Sequence, residues 1–303
     1  MEGVVVAHGI CQRYSDIDTY HMTACAIDEA IRNAVAVGAD IDNLAGLDNF
    51  CWCDPVQSAK TPDGEYKLAQ LVRANMAIYD YTTAFGVPCI SGKDSMKNDY
   101  QIGKTKISIP PTLLYSVIGG IKDVRKAVTM DAKRPGDLVY IIGDTKDEMG
   151  GSEWLAMQNF TGNSVPRVNA LSARKIYRAL HKAIQQGIIA SCHDCSDGGL
   201  AVALAETSIA GGLGMDIDLN SVPYQGKRRN DYILFSESAS RFVVTIQTED
   251  KNKFEKIMDG NIAGQIGSVT GADLLRMTGL TGKLIIKEKI NKLKEAWQKP
   301  LNF

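Results

Sequence analysis

The chain has 303 residues, 45% of them hydrophobic and 23% charged, and a net charge of −1. That is ordinary for a globular protein of about two domains at ~150 residues each. Near-neutral charge excludes a global basic field for nucleic acid or an anionic membrane. No apolar run reaches the ~18 residues of a membrane span, and the first ten residues lack a signal peptide's basic and apolar regions.

A β-rich run at 4–7 opens the chain. Helical periodicity covers 20–37, with Met22, Ala26, Ala30 and Val37 near one face and Gly38 as terminator. Residues 44–47 read as a strand ending at Asp48. A second long helix covers 65–85 and stops at Gly86 and Pro88. A strand at 87–90 runs into a polar loop over 91–98, and strands at 107–109 and 113–121 are joined by Pro110-Pro111. This order predicts an α+β domain with a mixed or antiparallel sheet. A polar turn at 133–137 marks a boundary, giving domains of 1–128 and 129–303. The second domain alternates strands (138–143, 188–191, 215–217, 242–246, 265–269) with helices (170–186, 198–210), and 283–297 reads as a charged, exposed terminal segment. The expected class is α/β: an α+β N-terminal domain followed by an α/β C-terminal domain.

Four stretches carry candidate chemistry. Glu29 and Asn33 stand at i and i+4 on the first helix, so their oxygens share a face and suit Mg²⁺; Asp28 and Arg32 repeat the spacing. From spacing alone, a solvated face with ordinary side-chain pairing is the favoured reading of both pairs. Asp48-Asn49 lies just past a strand end, where a ligand contact or a turn is expected. In Ser91-Gly92-Lys93-Asp94-Ser95-Met96-Lys97-Asn98, Gly92 permits close approach of a phosphate and Lys93 supplies a compact charge, but Val87 stands where a Walker loop needs glycine. His193-Asp194-Cys195-Ser196-Asp197-Gly198-Gly199 sets carboxylates and a hydroxyl at a helix start, fit for an anion with its metal or for capping by Ser196 or Asp197. Acids beside Cys195 should blunt it as a nucleophile. Gly150-Gly151-Ser152-Glu153 and Phe235-Ser236-Glu237-Ser238 are explained by turn chemistry, with a substrate role as the alternative. Seven scattered cysteines suggest reduced, mostly buried thiols and a cytoplasmic protein.

Taken together these stretches resemble the AIR-synthase-like superfamily of ATP-using enzymes, and within it the formylglycinamidine ribonucleotide synthase family. The match also runs through Asp16-Ile17-Asp18-Thr19-Tyr20-His21-Met22, Ala26 to Ala39, and Leu47-Asp48-Asn49-Phe50-Cys51-Trp52, in family order. The resemblance implies a second synthetase half whose N-terminal domain pairs with a sister domain into a barrel and lacks that family's first strand and acidic loop. It implies Mg²⁺ and ATP or ADP as cofactors, with Glu29, Asn33 and Asp194 toward metal and Ser196 near nucleotide. Asp48, Gly92, Lys93 and Ser95 would lean toward the nucleotide of the first half. The family's catalytic histidine lies in that first half, so none is expected here. A first synthetase half and a glutaminase are the implied partners; the implied reaction joins ammonia to formylglycinamide ribonucleotide.

Overall fold

The computed structural model describes residues 1–301. Its first half contains β1 (Gly3–Ile10), α1 (Thr19–Ala36), β2 (Leu44–Cys51), α2 (Gly64–Phe85), β3 (Cys89–Ser95), β4 (Asp99–Ile102), β5 (Thr105–Ser108) and β6 (Thr112–Ile121). The second half contains β7 (Leu138–Ile142), β8 (Thr145–Lys146), α3 (Glu153–Met157), α4 (Ala170–Gln185), β9 (Ile189–Asp194), α5 (Gly199–Gly211), β10 (Gly214–Asp218), β11 (Tyr224–Gln225) and α6 (Asn230–Phe235). It closes with β12 (Phe242–Ile246), α7 (Lys251–Ile257), β13 (Ala263–Thr270), β14 (Leu275–Thr278), β15 (Leu284–Glu288) and α8 (Ile290–Gln298).

The first sheet runs β1-β6-β2-β3, antiparallel except for the parallel β2–β3 pair. Helix α1 begins cleanly because Asp18 accepts hydrogen bonds from Tyr20 N and His21 N, at 2.9 and 3.1 Å. Its buried residues pack on β1 and α2. The other sheet face leaves Val4, Val6 and Ile118 exposed.

The second sheet runs β15-β14-β10-β13-β7-β12-β9. Alternation along β7 divides two cores: Tyr140 and Ile142 face α1, α4 and Phe254, whereas Val139 and Ile141 face Leu200, Leu204 and Met215. The first of these clusters holds residues of both sheets' layers, so a single apolar core fixes α1 against α4.

Two expectations are corrected, and one is refined. β2 continues through Asp48 to Cys51, so Asp48 is inside a strand rather than past its end. The 91–98 loop is largely strand: β3 runs to Ser95 because pairing with β2 supplies what its own residues do not favour. The terminal segment is ordered as β15, antiparallel to β14, and α8, which packs on α5 and buries Ile290; most of its other side chains are indeed exposed. Of the cysteines, Cys89 is exposed and Cys25, Cys53, Cys192 and Cys195 are buried. No helix among the described residues is long and apolar enough to cross a membrane.

Candidate functional site

Helix α1 and the turn between β9 and α5 meet where the two layers join, and the two i,i+4 pairs on α1 face different ways. Glu29 and Asn33 point toward β1: Ile10 N donates to Glu29 Oε2 at 2.9 Å, and Asn33 Nδ2 donates to the His8 carbonyl at 3.3 Å. Asp28 and Arg32 point toward the second half and are buried. The solvated reading of this pair is therefore wrong, because α4 and the segment at Ser240 cover it. Arg32 donates to Asp28 on its own helix, to Ser196 Oγ through Nη2 at 2.9 Å, and toward Asp194 Oδ2 through Nε at 3.4 Å. Asp28 also accepts from the Tyr177 hydroxyl, from Ser240 N at 2.9 Å and from Ser240 Oγ at 2.6 Å.

Asp194 is the last residue of β9, fixed by its register opposite Phe242. Burial alone would raise its carboxyl, but His193, Arg32 and Ser196 outweigh that and hold it well below the usual carboxylate range. His193 shows the converse. Burial would lower it, yet Asp194 and Glu206, the latter 2.9 Å from Nε2, push it up to about 9. Burial, followed by the nearby Asp194 charge, raises the Cys195 thiol to about 11 against the opposing Arg241, so it is a weak nucleophile as its sequence neighbours suggested.

The turn itself does not use the expected cap. Gly198 and Gly199 are both left-handed, with φ of +76° and +65°, and neither Ser196 nor Asp197 caps α5. Gly199 is required for a second reason: a Cβ there would lie 2.4 Å from the Ser236 carbonyl oxygen. Glu237 takes the capping role from afar, with Oε1 accepting from Gly198 N at 2.8 Å and Glu153 N at 2.9 Å, and Oε2 accepting from the Tyr14 hydroxyl at 2.8 Å. Ser196 is left free to face Asp194 and Arg32.

Tyr14, Glu29, Arg32, Ser196, Asp197 and Glu237 line one small pocket. Burial, then mutual repulsion, raises its acids: Glu29 and Glu237 both reach about 7, and Asp197 is also shifted upward. Several carboxyls thus face one guanidinium, an arrangement short of positive charge. No cluster of three His, Cys, Asp or Glu side chains able to hold a metal occurs among the described residues. The expected trio contains only two acids and an amide. In each, one atom is engaged and an oxygen remains for another partner: Glu29 Oε1 and Asn33 Oδ1 make no hydrogen bond among the described residues, and Asp194 Oδ1 has only His193 Nδ1 at 3.5 Å. Hard oxygen donors of this kind fit magnesium in chemistry.

Asp48, Gly92, Lys93 and Ser95 gather separately on β2 and β3, with β6 between them and β1. Asp48 lies opposite Gly92, where a Cβ would come 2.9 Å from Asp48 Oδ1, so glycine lets the carboxylate lie across the edge strand. Lys93 donates to Ser95 Oγ and has no carboxylate partner among the described residues. Sequence reasoning missed Tyr14, Tyr177 and Ser240, and saw Glu237 only as part of a turn-like cluster, because their contacts cross 140 residues or more. Ser240 is a non-glycine residue at φ +60°, a feature visible only in the structure.

Residues 134–279 match the family described as AIR synthase related protein, C-terminal domain. The subunit PurL of phosphoribosylformylglycinamidine synthase from Alkaliphilus metalliredigens is 33% identical over 300 residues, covering 98% of this chain and 38% of the relative. The corresponding Methanocaldococcus jannaschii subunit is 32% identical over 269 residues, covering 88% of this chain and 35% of its own length. The chain therefore spans little more than a third of these curated relatives. In fold it is similar to T. maritima PurL complexed with FGAR (TM-score 0.78, 20% identity, 96% of this chain and 46% of that one). It is also similar to E. coli HypE, a hydrogenase maturation protein (TM-score 0.68, 15% identity, 95% and 84%).

Proposed function

As this chain is an AIR-synthase-related protein, PurL-like over most of its length, we propose that it is the second synthetase half of an ATP-dependent formylglycinamidine ribonucleotide synthase. The proposed reaction transfers the terminal phosphate of ATP to the formamide oxygen of formylglycinamide ribonucleotide. Ammonia then displaces that phosphate, leaving the amidine, ADP and inorganic phosphate. The observation that carries the reading is the pocket in which Glu29 of α1 meets Ser196, whose hydroxyl donates to Asp194 at the end of β9, in family order and across the junction of domains divided near residue 128.

In this reading Glu29, Asn33 and Asp194 hold Mg²⁺, which offsets the charge of bound phosphates, and Ser196 contacts the nucleotide. Arg32 and Asp28 orient Asp194 and Ser196 from behind. The edge group of Asp48, Gly92, Lys93 and Ser95 serves the nucleotide of the first half, which covers the open sheet face at Val4, Val6 and Ile118. Lys93, a charged ammonium, contributes charge there rather than a metal bond. A glutaminase supplies ammonia.

The test is thermal unfolding with Mg-ADP. The wild type should gain stability by RT ln(1 + [L]/Kd), ~2.7 kcal/mol at a hundredfold excess over Kd, and lose the gain with EDTA or in Asp194→Asn. An unchanged midpoint in the wild type would overturn the nucleotide site. A second reading is a self-sufficient homodimer; activity of the pure chain without a partner would support it.

A further inference from the structure

A second cavity, of about 290 Å³, lies between the loop after β7, the start of α4 and the segment at Ser240. Ala239 lines both it and the acidic pocket, yet the two are opposite in character. Its cations are Lys146 and Arg167. Arg167 is the only arginine whose guanidinium makes no hydrogen bond or ion pair among the described residues; every other arginine finds a carboxylate, an amide or a backbone carbonyl. The Lys146 ammonium is likewise without a partner among them, although its backbone is fixed by Ser238 Oγ at 3.1 Å.

The backbone beneath Arg167 is not loose. Arg167 N donates to Glu148 Oε1 at 3.0 Å, and the flanking carbonyls of Pro166 and Val168 accept from Cys25 Sγ at 3.3 Å and the Tyr81 hydroxyl at 3.1 Å. A guanidinium carried on an anchored segment and left unpaired is built for an outside anion. Two residues on, Asn169 accepts from Ser172 N at 3.1 Å and fixes the start of the 16-residue α4 at the cavity's edge. Asp144 and Gln225 also line the cavity, a carboxylate paired with an amide, and both carry oxygens suited to accept from hydroxyl groups. The apolar floor is Ile176 and Ile262, and no aromatic side chain is present for a nucleobase to stack on.

We propose that this cavity binds a phosphomonoester of a small polyol, a sugar phosphate, with the phosphate on Arg167 and Lys146 and the hydroxyls on Asp144 and Gln225. The proposal does not depend on the synthetase reading, since it uses none of the residues of the acidic pocket.

Calorimetric titration with ribose 5-phosphate, ribose and inorganic phosphate tests it. The expected order is ribose 5-phosphate tightest, phosphate weaker and ribose alone weakest. Arg167→Met should weaken both anions by about tenfold or more, because a charged hydrogen bond is lost. Asp144→Asn should weaken ribose 5-phosphate and leave inorganic phosphate unchanged. Neither variant removes a core contact, so their unfolding midpoints should match the wild type. Absence of binding by either anion, or equal binding in Arg167→Met, would overturn the site. Equal affinity for phosphate and ribose 5-phosphate in the wild type would overturn the polyol half of the assignment.

Discussion

Replacing Arg32 with methionine should destabilise the protein far more than its single-residue scale suggests. The guanidinium is the one cation between Asp28 and Asp194, with side chains 5%, 0% and 7% exposed. After Arg32→Met, Asp28 keeps Tyr177 and both Ser240 bonds, and Asp194 keeps Ser196 and His193. Both carboxylates then remain buried without their guanidinium. Loss of one partner from such a pair costs ~3–5 kcal/mol. The long Nε–Asp194 distance of 3.4 Å assigns most of that to Asp28 and Ser196. The control is Arg178→Met: its bonds to Asp42 are short, 2.7 and 2.9 Å, but the pair is 52% and 44% exposed, so water replaces it at a cost below ~1 kcal/mol. Urea unfolding followed by tryptophan fluorescence separates the two. Equal midpoints for Arg32→Met and Arg178→Met would refute the claim that this triad joins the layers.

Two further outcomes follow from the same junction. Glu237 is raised from 4.5 to about 7 because burial outweighs its three donors. The folded state therefore binds the extra proton between those values, and wild-type stability should fall by up to ~3 kcal/mol as pH rises from about 4.5 to about 7; Glu237→Gln should flatten that part of the profile relative to wild type. Gly199→Ala should cost more than Gly212→Ala, by melting temperature: both positions carry the ~1–2 kcal/mol left-handed cost, but only at Gly199 would the Cβ strike a backbone oxygen, 2.4 Å away.

Local signals in the sequence located α1, α2, α4 and α5 well, since each has a glycine or polar cap at one end, α1 and α4 add an apolar face, and α5 is a nearly continuous apolar run. They failed at β3, where Ser91 to Ser95 has the composition of a loop and becomes strand only through parallel pairing with β2. They failed similarly at β4 and caught only the end of its hairpin partner β5, since the exposed residues of both carry no inward pattern. The Asp28–Arg32 spacing was visible, but not its burial, because the cover comes from Tyr177 and Ser240. Glu237 read as a turn residue; its capping of a glycine 39 positions earlier is a tertiary fact. The candidate acids were legible as chemistry, and their division into a junction group and an edge-strand group required the fold.

The most direct test of the synthetase reading is phosphate release by this chain mixed with a first synthetase half, ATP, Mg²⁺, formylglycinamide ribonucleotide and ammonia. The account predicts turnover that needs both halves and the ribonucleotide, with amidine formed in equal amount to ADP. Absence of turnover from a demonstrably assembled pair, or the same ATP hydrolysis without the ribonucleotide, would contradict it.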